Sequence, residues 1–471
     1  MKFHVVGIGG TGMSAVACLL LAHGEVSGSD QGRWPLSEAL RPLGATVHET
    51  FDASHLAGAD VVVRSSAYKE DNPEVAAALA RGVPVWKRHD AWRFLAKGKR
   101  VVAIAGTHGK TTTTAMTWTA LRHAGIDASL ICGAALAETG TNAHVGRTDV
   151  LVIEADEYDR VFQALVPAVA VVLNIDHDHV DLFPTREEYM EAYRVFVAGI
   201  PRGGMLLACA DDGGSATLAS EAHQRLAGRT VWTYGTSPRA DWRIRPAETY
   251  IDDDASLDEQ GRLIPASRGG RPSVTVNGPG KVSASLFLQV RGDHNALNAA
   301  AAFAAATAIG ADPLRASTAL SMFLGTSRRL EDLGQAGGIA VVDDYAHHPV
   351  EIRASILAVR RPGARVIALF QPHTASRLDA FFEDFVSALR LADAAVVAET
   401  FASARQDADA RGGARELAKR AGAAYARDPD EAARLLVDLA RPGDTVLVLG
   451  AGDIRSAGER LLELLRKRTP A

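Results

Sequence analysis

The sequence predicts an α/β protein in which helices cover parallel sheets, organised in three domains. Short apolar runs typical of buried strands, among them 3–6, 101–105, 150–153 and 169–173, alternate with helical stretches rich in Ala and Leu. This rhythm is typical of parallel sheets. It restarts after the charged stretch 97–100 and after the Gly- and Pro-containing stretch 310–313. We therefore predict domains over residues 1–98, 99–312 and 313–471, with a β-rich excursion over 241–280.

Length and composition narrow the class of protein. The chain has 471 residues, of which 47% are hydrophobic and 23% charged, as in globular proteins with substantial cores. The net charge is −5 without a long block of one sign, which disfavours nucleic acid as a partner. No apolar run reaches the roughly 18 residues of a membrane-spanning helix. We expect a protein that binds neither nucleic acid nor membrane.

Cysteine usage indicates the compartment. The chain has three cysteines, Cys18, Cys132 and Cys209, too few and too scattered for a disulfide framework or a cysteine-based zinc site. The chain also enters a glycine motif at Gly7, where a signal peptide would still be apolar. We therefore expect three core thiols in a cytoplasmic protein.

A glycine-rich motif follows the first predicted strand and precedes a helix. Glycines in this setting allow backbone N–H groups to approach a diphosphate, whose charge a helix N-terminus favours. Asp30 follows the second strand, where an acidic residue can bind a ribose hydroxyl. From the residues alone, the motif fits NAD, another nucleotide diphosphate, or a close strand-to-helix turn without a ligand. Its residues are Gly7, Gly9, Gly10, Thr11, Gly12 and Met13.

A second loop lies between the buried run 101–105 and a threonine-rich helix. Its backbone amides can surround phosphates, Lys110 can neutralise them, and the Thr111 hydroxyl can bind Mg²⁺. The common phosphate loop has a glycine at the position of Ile104, so the motif is shortened. The alternative is an ordinary glycine turn with a solvated lysine. The loop comprises Gly106, Thr107, His108, Gly109, Lys110 and Thr111.

Acidic and imidazole groups follow the next two strands. Glu154 ends the run 150–153, and His179 lies in the loop after 169–173. Side chains at the carboxyl ends of parallel strands line the crevice where ligands bind, so both can hold metal ions near the phosphate loop. A solvated charged loop is the alternative for each cluster.

Polar residues recur at the start of an alanine-rich helix and after the third domain's strands. Asn295 and Asn298 share a helix face suited to a base edge, although Asn near a helix start is as often a cap. The third domain supplies polar and basic groups after buried strands, where a doubly wound domain presents functional loops. Alone, each of these has a structural role at least as often as a functional one. They are Arg329, Asp344, His347, His373 and Arg377.

Taken in order, these motifs resemble those of the Mur ligases, the ATP-dependent amide-forming enzymes of peptidoglycan precursor synthesis. The segments that carry the resemblance span nearly the whole chain. The similarity is greatest to the branch that adds L-alanine to UDP-N-acetylmuramate. The segments are GIGGTGMS, SSAYKEDNPE, GTHGKTTTT, EADE, NIDHDHVD, GDHNALNAAAA, SRRLE, DDYAHHPVEI and FQPHTASR.

The resemblance implies a Rossmann-like first domain for the UDP-sugar, a central ATPase domain, and a Rossmann-like third domain that closes over the nucleotide. Implied UDP-sugar contacts are Gly7, Gly9, Gly10, Thr11, Gly12, Met13, Asp30, Ser65, Ser66 and Arg88. Implied ATP contacts are Gly106, Thr107, His108, Gly109, Lys110, Thr111, Thr112, His294, Asn295, Asn298, Arg329 and Asp344. Implied ligands of two Mg²⁺ ions are Thr111, Glu154 and His179. The implied catalytic residues are Lys110, His347, His373 and Arg377.

The implied reaction phosphorylates the lactyl carboxylate of UDP-N-acetylmuramate and then joins the acyl phosphate to the amine of L-alanine. His347 is a candidate to assist deprotonation of that amine, and Arg377 to hold the amino-acid carboxylate. No lysine occurs from 111 to 280, so the carbamylated lysine of several relatives is excluded there. Thr374 replaces an arginine that many relatives carry. We expect a monomer or a weak homodimer.

Three alternatives remain open from the sequence. A recycling ligase that attaches a whole tripeptide to the same UDP-sugar shares most of the motifs. An NAD-dependent oxidoreductase would use the first glycine loop and Asp30 but leaves the phosphate loop unexplained. A non-catalytic nucleotide-binding protein would keep the fold without turnover.

Overall fold

A computed structural model describes residues 1–247, 271–401 and 413–468, and the backbone of two short strands at 256–257 and 263–264. Three sheets with helices on their faces confirm the predicted α/β class. Much of the predicted β-rich excursion, at 248–255, 258–262 and 265–270, lies outside the described residues. The described rest of that excursion contains strands at 242–246, 256–257, 263–264 and 273–277.

The first sheet has five parallel strands in the order β3-β2-β1-β4-β5. Strand order reverses between β1 and β4, and this switch point opens a crevice at the carboxyl ends of the strands. The strands are β1 (Lys2–Val6), β2 (Glu25–Ser29), β3 (Thr46–His48), β4 (Val61–Arg64) and β5 (Val85–Lys87). The helices are α1 (Thr11–Leu20), α2 (Pro35–Glu38), α3 (Pro73–Ala80) and α4 (Arg88–Ala96).

The middle sheet has ten strands in the order β17-β16-β13-β12-β11-β10-β6-β9-β7-β8, and the strands from β13 to β7 along this order run parallel. Its strands are β6 (Arg100–Ala105), β7 (Ser129–Ile131), β8 (Ala143–His144), β9 (Val150–Glu154), β10 (Pro167–Val172), β11 (Met205–Cys209), β12 (Thr230–Gly235), β13 (Trp242–Pro246), β16 (Ser273–Asn277) and β17 (Ser283–Phe287). A separate pair joins β14 (Ser256–Leu257) to β15 (Leu263–Ile264).

The helices of the middle unit include one that is rich in alanine. They are α5 (Lys110–His123), α6 (Arg186–Ala198), α7 (Gly213–Arg225), α8 (His294–Ile309) and α9 (Pro313–Met322). Small side chains let the buried helix α8 pack closely against α5 and the sheet. Helix α9 also packs on α5, and its Leu320 joins the same core. We therefore propose that the second domain boundary follows α9 rather than residue 312.

The third sheet has six strands in the order β18-β19-β23-β20-β21-β22, all parallel except the β18–β19 pair. Its strands are β18 (Glu331–Ala336), β19 (Ile339–Asp344), β20 (Val366–Phe370), β21 (Ala394–Ala398), β22 (Ala424–Ala426) and β23 (Thr445–Leu449). Its helices are α10 (Pro349–Val359), α11 (Ala375–Ala380), α12 (Phe382–Leu389), α13 (Gly413–Ala421), α14 (Pro429–Leu439) and α15 (Arg455–Arg468).

The cores explain why the units pack as they do. One apolar cluster runs from the first sheet into one face of the middle sheet, and a second fills the other face beneath α8. The third sheet has a cluster on each face. The predicted core thiols Cys18, Cys132 and Cys209 are all buried. Among the residues described, no helix combines the length and apolarity needed to cross a bilayer.

Candidate active site

The first glycine loop lies at the switch point of the first sheet. It follows β1, and Ser65 follows the neighbouring strand β4, so both predicted segments reach the same crevice. Gly7 has φ +84°, a conformation that favours glycine. The loop ends at Gly10, where α1 begins. The predicted diphosphate contacts therefore surround one helix N-terminus.

Two aromatic side chains, neither of them predicted, lie over this loop. A Cβ atom on Gly9 would come within 2.3 Å of the Trp34 ring, and one on Gly7 within 2.7 Å of the Tyr68 ring. Trp34 donates from its indole to the Gln31 carbonyl at 3.0 Å. A side chain at either position would therefore force the loop or one of these aromatic rings to move.

Asp30 fixes the loop through its carboxylate. Its Oδ2 accepts from the Gly9 amide at 2.8 Å, and its Oδ1 accepts from the Gln31 amide at 2.8 Å and the Tyr68 hydroxyl at 2.9 Å. These bonds make Asp30 an organiser of the loop. Its predicted contact with the UDP-sugar stays a prediction.

Lys110 lies inside the second loop, at the start of α5. Its Nζ donates to the Gly106 and Thr107 carbonyls at 2.6 and 3.1 Å and lies 2.8 Å from Glu157 Oε2. Burial alone lowers the pKa of Lys110, but the carboxylates of Glu157 and Asp156 outweigh it and raise the pKa. The lysine is therefore positively charged where the motif places phosphates.

Thr111 and Glu154 meet as the sequence predicted for metal ligands. The Thr111 hydroxyl donates to Glu154 Oε1 at 3.0 Å, and the Gly133 amide donates to Glu154 Oε2 at 2.7 Å. Strands β6 and β9 are neighbours, which explains why residues 43 positions apart in the chain touch. Burial is the main cause of a raised pKa at Glu154, opposed by Lys110. A cation beside this carboxylate would offset its burial.

Glu157 is the central carboxylate of the site, although the sequence analysis favoured Glu154. It is fully buried and accepts from the Tyr189 hydroxyl at 3.1 Å, besides contacting Lys110. His179 Nε2 lies 3.5 Å from Glu157 Oε1. His179 has φ +51°, a backbone conformation whose strain is commonly found at functional sites. The only signal in the sequence was that Glu157 belongs to the acidic cluster after β9.

Arg88 and Asp156 form an ion pair between the first and middle units. Arg88 Nη2 lies 2.9 Å from Asp156 Oδ2, and a Cβ atom on Gly12 would come within 3.4 Å of the same guanidinium. Asp156 is next to Glu157 in the chain. The ion pair thus joins the start of α4 in the first unit to the acidic segment after β9 in the middle unit, where Glu157 contacts Lys110 of the phosphate loop.

A cavity of about 300 Å³ lies between the middle and third sheets and is of a size typical of small-molecule sites. Burial lowers the pKa of His294 in its wall to about 4, so this ring is neutral. Asn298 donates to Asn295 at 2.9 Å on one helix face, as predicted. The predicted ATP contacts in the wall are His108, Gly109, Thr112, His294, Asn295, Asn298, Arg329 and Asp344.

Asp344 closes this cavity from the third sheet. Its Oδ1 accepts from the Ala346 amide at 2.7 Å and its Oδ2 from the Leu330 amide at 2.9 Å. Burial raises the pKa of Asp344 to about 6, against the opposing effect of Arg329. A carboxylate that ionises near neutral pH therefore lies at the predicted nucleotide site.

His347, His373 and Arg377 also lie together. The His347 and His373 rings are 6.2 Å apart, and Arg377 Nη1 donates to the His373 carbonyl at 3.4 Å. His347 Nδ1 donates to the Tyr345 carbonyl at 2.9 Å, which leaves a lone pair on Nε2. Burial lowers the pKa of His347 to about 3. The ring is neutral and a weak proton acceptor, which disfavours the predicted assistance in deprotonation.

Together these features define an α/β protein with a glycine loop after a buried strand in both the first and middle sheets and a cavity between the middle and third sheets. Three family models match the chain: "Mur ligase family, catalytic domain" at residues 2–100, "Mur ligase middle domain" at 104–306, and "Mur ligase, glutamate ligase domain" at 328–452. The chain belongs to the Mur ligase family, and the predicted resemblance is confirmed.

Individual relatives agree with this assignment. The chain is 42% identical to the UDP-N-acetylmuramate–L-alanine ligase of Renibacterium salmoninarum, over 100% of this chain and 97% of the relative. It is 41% identical to the ligase of the same name from Streptomyces coelicolor, over 98% and 97% of the two chains. The crystal structure of the Thermotoga maritima UDP-N-acetylmuramate–alanine ligase superposes with a TM-score of 0.79 at 27% identity, covering 100% of both chains.

Proposed function

We propose that this protein joins L-alanine to the lactyl carboxylate of UDP-N-acetylmuramate with hydrolysis of ATP to ADP. Its relatives of about 40% identity over the full length carry the name of that ligase. The structural observation that supports the proposal is the ion pair of 2.9 Å between Arg88, a predicted UDP-sugar contact at the start of α4, and Asp156, which precedes Glu157, the partner of Lys110. A UDP-linked carboxylate and the terminal phosphate of ATP must meet in such a place.

Each of the two glycine loops would bind a different nucleotide. The first glycine loop, fixed by Asp30, would bind the UDP diphosphate at the N-terminus of α1. Lys110 would bind the phosphates of ATP, while Asn295, Asn298 and Asp344 would hold its nucleoside in the cavity. Positioning and fixed charge are the main means of accelerating phosphoryl transfer.

The residues around Thr111 fit the predicted Mg²⁺ ions. Hydroxyl and carboxylate oxygens are the ligands Mg²⁺ prefers, and Thr111 and Glu154 already place theirs 3.0 Å apart. His179 would contribute to the second ion from the next loop. When bound, Mg²⁺ neutralises charge on the phosphates. Lys110 remains the protein's own charge at that point.

The amine substrate would enter between the middle and third sheets. Arg377 is the predicted anchor of the amino-acid carboxylate, and His347 and His373 line the same place. Because His347 is neutral with a pKa near 3, we assign it an orienting hydrogen bond through Nε2. The free amine of L-alanine attacks the acyl carbon and the bond from that carbon to the phosphate oxygen breaks, so that phosphate and the proton lost from the nitrogen leave as the amide forms. Packing of the third sheet over the phosphate loop excludes water from this intermediate.

We further propose a cytoplasmic monomer or weak homodimer that acts on these small molecules without nucleic acid or membrane. The even charge distribution, with a net charge of −5, and the three buried free thiols support this.

The test is ADP formation by the purified protein with ATP and Mg²⁺. We expect turnover only when UDP-N-acetylmuramate and L-alanine are both present. Lys110→Ala should lower kcat by at least about 10²-fold, the typical loss when a charge-stabilising donor is removed. It should leave UDP-sugar binding intact, because Lys110 belongs to the middle sheet. Lys97→Ala, at an exposed position, is the matched control. Turnover by Lys110→Ala at the wild-type rate would refute the assignment.

A further inference from the structure

We propose that His108, Asp176 and His348 form a binding site for one divalent transition-metal ion of the zinc class. This site goes beyond the proposed ligase function and is separate from the predicted Mg²⁺ ligands. Each residue offers one ligand atom, and these atoms all lie within 4.8 Å of one another. His108 lies in the phosphate loop, Asp176 follows β10, and His348 immediately precedes α10.

His348 is the observation that first indicates a ligand. Its side chain is 3% exposed, and neither ring nitrogen has a hydrogen-bond partner. An unpaired buried polar group costs free energy, and native structures rarely leave one without a reason. Burial lowers the pKa of His348 to about 4. The neutral imidazole therefore has a lone pair available for a ligand, and its ring lies 4.8 Å from the His108 ring between centroids.

His108 is held as metal-binding histidines usually are. Its Nδ1 lies 3.2 Å from Glu351 Oε1, and a carboxylate can only accept, so Nδ1 carries a proton. Its Nε2 is buried without a hydrogen-bond partner and lies 3.6 Å from Asp176 Oδ2. A carboxylate behind one ring nitrogen fixes the other toward a metal. Glu351 therefore acts as a positioning residue for the site.

The donor set selects the class of ion. Two imidazoles and one carboxylate suit Zn²⁺, Co²⁺ or Ni²⁺, and a fourth position remains for water. Mg²⁺ instead prefers oxygen ligands, such as those of Thr111 and Glu154. A metal ion can bind His108 Nε2 only when that nitrogen carries no proton, so binding to a charged ring releases a proton to solvent.

The proposed metal site lies between two units of the protein. His108 and Asp176 lie in loops of the middle unit, whereas His348 lies in a loop of the third unit. One ion would link the phosphate loop to the third unit at the wall of the nucleotide cavity, where His108 and Asp176 both lie. Bound metal would therefore hold the two units together and raise the melting temperature.

The experiment uses the full-length protein with Co²⁺ as a spectroscopic probe, in excess Mg²⁺ so that oxygen-rich sites are filled. We expect one Co²⁺ per chain with a visible absorption band typical of nitrogen ligands, displaced by equimolar Zn²⁺. His348→Gln and Asp176→Asn should each weaken binding at least tenfold and abolish the rise in melting temperature. His223→Gln changes an exposed histidine on α7 and should bind as the wild type does.

The outcomes separate this site from adventitious binding. If His348→Gln and Asp176→Asn both keep the Co²⁺ band and affinity of the wild type, the proposal is wrong. If His348→Gln does not fold, Asp176→Asn decides, because the Asp176 side chain is 37% exposed and tolerates amide replacement. The Co²⁺ measurement needs no UDP-sugar. Its result can therefore be interpreted even if the proposed ligase activity is not found.

Discussion

Arg377 holds Asp178 through two parallel hydrogen bonds across the interface between the third and middle sheets. Its Nε and Nη2 lie 3.0 and 3.1 Å from the two carboxylate oxygens, and both side chains are 8% exposed. A planar guanidinium paired in this way is oriented as well as charged. The residue predicted to bind the amino-acid carboxylate thus already binds a carboxylate of the protein.

Replacing Asp178 should destabilise the protein because it leaves the Arg377 charge buried and unpaired. We expect Asp178→Ala to lower the free energy of unfolding by about 3–5 kcal/mol. Asp181→Ala, at an exposed position in the same loop, should change it by less than about 0.5 kcal/mol. Urea unfolding followed by circular dichroism measures both variants. Equal small losses would show that the pair contributes no net stability.

The same pair gives this stability a pH dependence. Burial alone raises the pKa of Asp178, but the Arg377 guanidinium and His179 outweigh it and hold the pKa well below its usual value. Stability from a carboxylate with a lowered pKa is complete above the unfolded value of about 3.9 and is lost as the pH falls below it. The difference between wild type and Asp178→Ala should therefore shrink below pH 4.

Arg377→Ala tests the predicted anchor. We expect the KM for L-alanine to rise at least tenfold. The KM for ATP should change little, because Arg377 does not line the cavity predicted to bind ATP. Steady-state kinetics with each substrate varied in turn measures the two constants. An equal rise in both would indicate that Arg377 acts only by holding the two sheets together.

Thr111→Val removes a predicted Mg²⁺ ligand with little change of shape. The Thr111 hydroxyl also donates to Glu154, so its loss should raise the Mg²⁺ concentration for half-maximal activity at least tenfold. Thr113→Val is the matched control, because the Thr113 hydroxyl is buried without a hydrogen-bond partner. Titration of turnover with Mg²⁺ distinguishes them. The assignment fails if both variants need the same Mg²⁺ concentration as wild type.

Gly9→Ala should weaken UDP-sugar binding at least tenfold. The added methyl group would come within 2.3 Å of the Trp34 ring and 2.8 Å of the Asp30 carboxylate, so the loop must move. Gly213→Ala, at the start of α7 and away from the predicted UDP-sugar contacts, places its methyl group where nothing lies within 4 Å and should bind within about twofold of wild type. Calorimetric titration with UDP-N-acetylmuramate measures both. Similar affinities in the two variants would place the ligand elsewhere.

Asp344 should give ATP binding a pH dependence. Burial raises its pKa to about 6, so the side chain is a carboxylate above that pH and a neutral acid below it. The KM for ATP should rise as the pH falls from 7 to 5, because a protonated acid accepts hydrogen bonds less well. Asp344→Asn cannot ionise and should show a flat profile over this range. A slope of the same size in Asp344→Asn would assign it to another group.

The sequence predicted the parts of the site that depend on local pattern. Glycine loops after buried strands and acidic residues at strand ends are visible in the chain, and the Thr111–Glu154 contact follows from neighbouring strands. The Asp178–Arg377 pair joins residues 199 positions apart. Such a pair depends on how two units pack against each other, so no local sequence pattern predicts it.

The burial of individual charged side chains could not be predicted from the sequence either. Glu157 was predicted only as one member of an acidic cluster, yet it is fully buried beside Lys110. Asp30 was predicted to contact the ligand, and in the structure its oxygens accept hydrogen bonds from the Gly9 and Gln31 amides. The neutral state of His347 likewise follows from its burial, which lowers the pKa of the ring to about 3. Composition cannot show which charged groups the fold removes from water.

The most direct test of the central claim is the mass of the product made from UDP-N-acetylmuramate, ATP and Mg²⁺. Parallel reactions should contain L-alanine, glycine, L-serine or the tripeptide L-alanyl-γ-D-glutamyl-meso-diaminopimelate. We predict fastest phosphate release with L-alanine and a product heavier than the UDP-sugar by one alanyl residue. Turnover with the tripeptide alone would make the protein a recycling ligase, and no turnover with any of the four would contradict the ligase assignment.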